Sequence, residues 1–519
     1  MIDRIVRSLL ISSCLVSASA AMAATGGDQP THYLGNEVTV DIPDEVPVVE
    51  LKPVETTQPA EELLGSKSDE APAPVELSTD KKYTLDAPAA APTEEENALQ
   101  QVLSYVYEHH PQLLAEREKV KAVDESVALA VSEFRPNIGA DYSKGRERQK
   151  SSASNRFYGD TQSQGITVTQ PIFSGLDSVA GFKAAKERVK AARADLTALE
   201  QQILYNAIVA YTGVVEADAV LKLNQNNVDV LTKQREATQV RFDVGELTRT
   251  DVSQSEARLA NAKAAEQQSI GDLAIARANF LRAVGMPAPE HPVMPAVPGS
   301  LPKTLKEASA LARNASPVLE AAKHREQAFE NDIDVRIGSI LPDISLQGTV
   351  RRNEGGNAFV NKYSNDALTL NVSIPLYQSG SEWAQLRAAH NMANQARFNT
   401  LDTTLAVEQD VTSAWQNYVT AESVITSTEA AEKAAGLALE GVRQESDFGV
   451  RTVLDVLDAE QEFMNTKVNL VRATRNHKIQ AYRLLASVGK LTAEALTLPV
   501  KVYNPAEHYD DVKYQLLGL

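Results

Sequence analysis

Phe448-Gly449-Val450-Arg451-Thr452-Val453-Leu454-Asp455-Val456-Leu457-Asp458 decides the fold, because helical patterning runs up to this stretch and away from it. Glycine enters the left-handed conformation without penalty and so ends helices. A threonine shortly after it can cap the next helix. The same design stands earlier as Val244-Gly245-Glu246-Leu247-Thr248-Arg249-Thr250-Asp251-Val252. In both copies Gly is followed three residues later by Thr, six later by Asp and seven later by Val. One copy alone would read as a plain turn with a solvated acid after it. Two copies at fixed spacing predict the tips of two helical hairpins.

Outward from the tips, the chain repeats itself. Pro111 and Pro136 are 25 residues apart, as are Pro317 and Pro342; Gly245 and Gly285 are 40 apart, as are Gly449 and Gly489. The offset between copies is 204 to 206 residues throughout. The expected organisation is a signal peptide over 1–23, an acidic arm over 24–98, a first repeat over 99–285, a Pro-rich linker over 286–305, a second repeat over 306–489 and a C-terminal tail over 490–519. Each repeat is expected to open with a helix from Pro111 or Pro317, where Pro suits the first helical turn. Two strands with a polar loop between them, a very long helix to the tip and a return helix of about forty residues follow.

The long helix carries a coiled-coil seam. Ala210, Val214, Ala217, Leu221, Asn224, Val228 and Leu231 are spaced alternately four and three apart, and Leu454, Leu457, Gln461, Met464, Val468 and Val471 do the same. A sustained period of about 3.5 residues winds helices around each other. Gly175 to Gly245 spans 70 residues, which as helix is about 105 Å. A cytoplasmic-type coiled-coil rod would show the same seam; the strands argue against it.

Leu368, Leu370, Val372 and Ile374 alternate with Thr369, Asn371 and Ser373; Ile344, Leu346 and Val350 alternate with Ser345, Gln347 and Thr349. In the first copy Ile138, Ala140 and Tyr142 alternate with polar residues, as do Ile166 and Val168. Runs of about ten residues suit a tilted membrane-spanning strand with lipid on one face and water on the other. A soluble sheet packed on helices would alternate in the same way. The stretches 146–164 and 353–366, expected as long polar loops, favour the membrane reading.

So does the N-terminus. Arg4 and Arg7, a short apolar run from Leu9 to Val16 and the small-x-small Ala21-Met22-Ala23 form an export signal. Cys14, the only cysteine, falls inside it. Cleavage at Ala23 leaves no thiol for disulfides or metal. The arm holds nine prolines, seventeen acidic residues and four lysines, so it carries −13 of the chain's net −18 and cannot build a core. The acidic balance also excludes nucleic acid as a partner. Four strands cannot close a barrel, and an open edge in lipid leaves backbone groups unpaired. Several chains must therefore combine. Eight strands would be filled by side chains, whereas twelve could leave a water-filled lumen.

The twofold repeat, the corners Gln170-Pro171-Ile172-Phe173-Ser174-Gly175 and Ile374-Pro375-Leu376-Tyr377, and the tip from Gly449 to Asp458 resemble the TolC family of outer-membrane export channels. The resemblance spans about 100 to 490. It implies a mixed α and β fold: a membrane β-barrel of four strands per chain and twelve per homotrimer, continued by a long α-helical coiled-coil tunnel through the periplasm. It implies an outer-membrane location in a Gram-negative bacterium, and as partners an inner-membrane adaptor and a pump or ABC transporter. Asp455 and Asp458 match the acidic pair lining the pore constriction, and three copies would make rings of carboxylate that favour cations. Arg451 matches a basic residue holding the tip gate closed, and Asp251 its acidic partner on the neighbouring hairpin. Gly245, Glu246, Leu247, Thr248, Gly449, Val450 and Thr452 form the hairpin tips that an adaptor would touch. The chain departs from some relatives at Ser446, where they carry a tyrosine in the same lock. The first tip looks most like members serving type I protein secretion.

No Walker loop, Gly-x-Ser-x-Gly or dinucleotide fingerprint is present. His109-His110 precedes a helix-starting proline without a surrounding ligand set, and no cofactor is expected. Trp383 and Trp415 are expected as packing residues on the second long helix. The expected function is a passive exit duct for type I secretion. Drug or small-molecule efflux through the same duct is the alternative; a periplasmic coiled-coil adaptor or tether is the alternative of another class.

Overall fold

The computed structural model describes residues 98–151, 154–355 and 362–515. The expected signal segment, and the acidic arm up to residue 97, lie outside the described residues. In chain order the elements are α1 (Ala98–His109), α2 (Pro111–Ser132), β1 (Asn137–Ser151), β2 (Ser154–Ser174), α3 (Asp177–Asp243), α4 (Arg249–Val284), α5 (Leu305–Ala315), α6 (Pro317–Gly338), β3 (Asp343–Glu354), β4 (Lys362–Ser373), α7 (Ser381–Asp447), α8 (Val453–Ser487) and α9 (Ala506–Val512). The architecture is mixed α and β, with the same order of elements in both halves.

α3 and α7 each run 67 residues without a break, and α4 and α8 return over 36 and 35 residues. Neither long helix contains proline, and alanine supplies many of the buried contacts, among them Ala184, Ala185, Ala192 and Ala207. Small side chains let neighbouring helices approach closely. Along the expected seam Val214 and Leu231 are buried, and Ala210, Ala217, Leu221 and Val228 pack beside them. Asn224, also in the seam, donates from Nδ2 to Ser269 Oγ on α4 at 2.5 Å. A polar seam residue that finds its partner fixes the register of two helices.

The largest core lies at the end of the return helices, well away from the tips. Leu204, Ile208 and Tyr211 of α3 meet Phe280 and Val284 of α4, Val102 and Val106 of α1, Leu113 and Val120 of α2, and Leu485 near the end of α8. Full burial of a side chain such as Phe280, which has no exposed surface, contributes about 2–3 kcal/mol. The Pro-rich linker is docked onto this core. Tyr211 donates its hydroxyl to the Val293 carbonyl at 2.9 Å and Tyr482 donates to the Ala296 carbonyl at 3.3 Å. The segment after Leu491 docks too, with Val512 of α9 buried.

The four strands form one antiparallel sheet in the order β1-β2-β3-β4. All four strand ends that join helices (Asn137, Ser174, Asp343 and Ser373) lie at the same end of the sheet. The turns between β1 and β2 and between β3 and β4 therefore point the opposite way. At the helix end, Gly175 has φ 61°, and a Cβ there would sit 2.1 Å from the Gly338 carbonyl oxygen. Only glycine lets the α6 terminus pass the strand-to-helix corner this closely.

The structure corrects four expectations. Each repeat opens one helix earlier than its proline: α1 and α5 precede Pro111 and Pro317, and α1 begins at Ala98, within the expected arm. Val102, Leu103, Val106 and Tyr107 already carry the helical spacing and are buried. The strands run 15, 21, 12 and 12 residues instead of about ten. Most of the expected polar loop from 146 to 164 is paired hairpin, with Arg146 opposite Asp160 and Tyr142 opposite Gln164, because polar residues pair backbone to backbone as readily as apolar ones. The ladder likewise takes in Asn353, Glu354 and residues 362–366 of the second expected loop. Finally, Trp383 is 53% exposed and packs little. Trp415 does pack, beside Val411, Ala414 and Leu484.

Candidate functional site

The two tips have one backbone design. In the first, Gly245 (φ 84°) ends α3 and Thr248 caps α4; in the second, Gly449 (φ 74°) ends α7 and Thr452 caps α8. Both caps are reciprocal. The Thr248 hydroxyl accepts from Asp251 N at 3.3 Å while Thr248 N donates to Asp251 Oδ2 at 2.9 Å. The Thr452 hydroxyl accepts from Asp455 N at 3.2 Å while Thr452 N donates to Asp455 Oδ2 at 2.9 Å. Each threonine hydroxyl also donates to the same carboxylate oxygen, at 2.7 and 2.8 Å. The spacing of Thr and Asp in the sequence is thus a capping box with Asp in the third position.

Asp251 and Asp455 are therefore anchored by their own helix ends. The Thr452 backbone N–H, then its hydroxyl and the nearby Arg451 charge, hold the Asp455 carboxyl below the usual aspartate range. A carboxylate kept ionised at the first turn also suits the positive end of the helix dipole.

The side chains around the caps differ. At the first tip Arg241 on α3 donates from Nε to Glu246 in the turn at 3.1 Å. At the second the charges are exchanged: Glu445 on α7 accepts from Arg451 in the turn at 2.8 Å. Glu445 keeps the Arg451 guanidinium more firmly protonated than usual, first by the hydrogen bond and then by its charge. Within one chain Arg451 is thus paired with Glu445, while Asp251 is held by Thr248. Asp458 pairs with Arg258 of α4 at 2.5 Å, which ties the two return helices together. Beside that bridge Leu231, Leu259, Ala262, Val453 and Leu457 form a small apolar core shared by both hairpins, with Leu247 packed against it. Val244, Phe448 and Val450 are 69%, 87% and 73% exposed, an apolar surface at the extreme ends of the hairpins.

Sequence reasoning found the turn residues and missed Glu445, Arg258 and Glu460. The side chain of Glu460 is only 5% exposed and meets Arg443 at 2.7 Å. Glu445 lies before the glycine, outside the quoted stretch, and Arg258 lies 200 residues from its partner. An acid six residues before Arg451, with Asp447 standing nearer in sequence, was the only available signal for the first pair.

The sheet forms the second part of the site. Its register aligns Ile344 with Val372, Leu346 with Leu370, Val168 with Ile138 and Gly348, and Val350 with Ile166. These positions share one face, and Ile138, Ile166, Val350, Leu368, Leu370 and Val372 are each more than half exposed on it. Tyr142 stands at its far edge; Phe173, Ile374, Leu376 and Tyr377 lie toward the helix end and are also exposed. The opposite face carries Thr167, Thr349, Thr169, Gln347 and Thr369. There Arg351 reaches across Gly165 to Asp141 at 3.0 Å. An apolar outer band flanked by aromatics, with a polar inner face, is the surface of a membrane barrel wall.

The outer membrane efflux protein family matches residues 102–286 and 308–490. The chain belongs to that family. It is 32% identical over 414 residues to the outer membrane efflux protein BepC of Brucella suis, covering 80% of this chain and 90% of that one. It is 24% identical to the outer membrane protein TolC of Vibrio cholerae, over 76% of this chain and 91% of that one. It is 22% identical to the alkaline protease secretion protein AprF of Pseudomonas aeruginosa, over 75% and 84%. Among solved structures the outer-membrane channel OprN superposes with a TM-score of 0.68 at 19% identity, over 78% of this chain and 95% of that one. The fold is that of the TolC-like channels, a barrel wall continued by a helical tunnel. The chain is an outer-membrane channel protein whose helical part extends into the periplasm. The reading as a periplasmic adaptor or tether is set aside by family and fold together.

Proposed function

We propose that this chain is one third of a passive outer-membrane exit duct, gated at its periplasmic tips and opened by an inner-membrane adaptor and its pump. The observation that carries this reading is the sheet. Four strands with an exposed apolar face end in two edges, β1 and β4, and unpaired edges in lipid cost several kcal/mol for each backbone group. Edge joining edge around a threefold axis gives twelve strands and a lumen wide enough for water. The long helices continue the same wall. Val244, Phe448 and Val450 offer the adaptor an apolar docking surface, flanked by Gly245, Glu246, Leu247, Thr248, Gly449 and Thr452.

In this duct Asp455 and Asp458 form the constriction. Arg451, with Glu445 in its own chain and Asp251 on a neighbouring hairpin, holds the tips together. The 32% identity with a relative named for efflux favours small-molecule cargo. The first-tip resemblance and the relative named for protease secretion support a protein cargo as the second reading.

The test is single-channel recording on the purified mature oligomer in a planar bilayer. The unmodified protein gives small, cation-selective steps, and Arg451→Ala enlarges them. Asp455→Ala with Asp458→Ala lowers cation selectivity; unchanged selectivity would remove these residues from the constriction. An oligomer that does not enter the bilayer would overturn the duct. A deletion strain separates the cargoes: increased drug susceptibility with normal protein export fits efflux, and the reverse fits secretion.

A further inference from the structure

Among the residues whose side chains the structure describes, five bases lie on the half of the sheet remote from the helices: Lys144, Arg146, Arg351, Arg352 and Lys362. Three of them are matched by acids. Arg146 pairs with Asp160 at 2.9 Å, Lys362 with Glu354 at 2.9 Å and Arg351 with Asp141 at 3.0 Å. Lys144 and Arg352 have no carboxylate partner among the described residues, and both are exposed.

The register decides where these two unpaired cations sit. Tyr142, Gln164, Arg352 and Ser364 form one cross-strand row, and Lys144, Gln162, Glu354 and Lys362 form the next. Both rows share the parity of Ile138, Ile166 and Val350, so they continue the apolar face directly beyond its edge. The matched Arg351–Asp141 pair has the opposite parity and lies on the polar face. Among the described residues, the remote half of the polar face thus holds a matched pair, whereas the lipid-facing side holds two unpaired cations against one unpaired acid, Asp366. That acid lies opposite Val350, one row nearer the helices than Arg352. Lys144 and Arg352 are two strands and one row apart, roughly 10 Å across and 7 Å along the strands. Long flexible side chains close that separation onto a single anionic group.

We propose that Lys144 and Arg352 form a site for the phosphate of an anionic membrane-lipid headgroup, on the leaflet that the strand turns face. The inference rests on the membrane-wall reading of the sheet and is independent of the gate. The apolar face below the pair takes the acyl chains, Tyr142 sits at the boundary between chain and headgroup, and the two cations take the phosphate. Arginine presents a fork of donors that suits phosphate oxygens, and lysine adds a mobile point charge. Within these two rows the one acid, Glu354, is occupied by Lys362; Asp366 lies one row nearer the helices, on the side of Arg352 away from Lys144.

Native mass spectrometry of the full mature oligomer in neutral detergent tests this. Phosphatidylglycerol is added in one arm and phosphatidylcholine in the other. The unmodified oligomer should retain phosphatidylglycerol about tenfold better, the attraction of two cations being reduced by screening. Lys144→Gln with Arg352→Gln should remove that preference, and Lys144→Arg with Arg352→Lys should keep it. Single-channel conductance of each variant reports that the barrel has formed, so loss of lipid preference is separated from failure to fold or to make a duct. Equal retention of both lipids by the unmodified protein overturns the site, as does an undiminished preference in the double Gln variant. Displacement by millimolar inorganic phosphate would show a free-phosphate site instead and would overturn the lipid assignment.

Discussion

The two hairpin tips share a backbone and differ in their charges. Glycine, threonine and aspartate fall at matching positions, both glycines have positive φ, and both threonines make the same reciprocal cap. The clasp across the turn is reversed, Arg241 to Glu246 in one and Glu445 to Arg451 in the other. Deeper in the hairpins the difference grows. The second holds the buried Glu460–Arg443 pair. At the corresponding places, 204 residues earlier, the first has Gln239 and an exposed Glu256. The first holds Asn224 to Ser269, where the second has Thr428 and Ala473 and Thr428 bonds back to its own helix. A repeat has thus kept what the backbone requires and varied what side chains decide. Behind the tip clasps, one hairpin is pinned by a neutral seam contact and the other by the Arg443–Glu460 ion pair.

That contrast can be broken by experiment. The largest effect is expected from Arg443→Ala, which strands the Glu460 carboxylate. Local opening of the second hairpin should become easier by about 2 kcal/mol, a buried-pair loss reduced because Arg443 is half exposed. Hydrogen exchange around Glu460 reads this, and Gln239→Ala in the first hairpin should leave its exchange nearly unchanged. A similar change from both variants would remove the asymmetry.

Asn224→Leu is the converse experiment. It leaves the Ser269 hydroxyl its bond to the Ala265 carbonyl and removes the polar register contact. The first hairpin should keep its stability within about 1 kcal/mol while losing unique register. Cross-linking between cysteines placed on α3 and α4 would then yield more than one pairing.

Smaller and equal effects are expected at the caps. Thr248→Ala and Thr452→Ala should each cost about 1 kcal/mol of local stability at the first turn of α4 and α8. Hydrogen exchange at those turns should change alike, since the geometry is alike; a clear inequality would mean that the surrounding charges, rather than the box, hold the helix start.

The pH response is the finest comparison. The Asp455 carboxyl is depressed in the folded protein by the Thr452 N–H. Its contribution is therefore present above the unfolded aspartate value, roughly 3.9, and is lost as pH falls through the lower folded value. A carboxyl NMR titration of Asp455 should give a midpoint below that of an exposed aspartate, and Thr452→Ala should move it upward. A midpoint unmoved by this substitution would break the link between cap and charge.

Much of this was legible in the sequence because it depends on local chemistry. Gly449, Thr452 and Asp455 specify a helix end and a helix start within seven residues. The alternation from Leu368 to Val372 specifies a two-faced strand. The repeat itself announced two hairpins and two strand pairs. Helices α1 and α5 were hidden because they are short and adjoin prolines that looked like beginnings. The hairpin formed by residues 146–164 was hidden because its polar composition resembles a loop, while its backbone pairing is indifferent to polarity.

Tertiary structure alone decided the partners. No period or spacing could show that Arg258 meets Asp458, that Arg451 turns back to Glu445, or that Glu460 is buried. Nor could composition show which cations on the sheet are matched. Period and turn chemistry act over a few residues, so the sequence determined the elements, their order and the faces they present. Ion pairs and burial depend on which surfaces meet in space, and those meetings join residues hundreds of positions apart, as with Asp141 and Arg351, 210 positions apart.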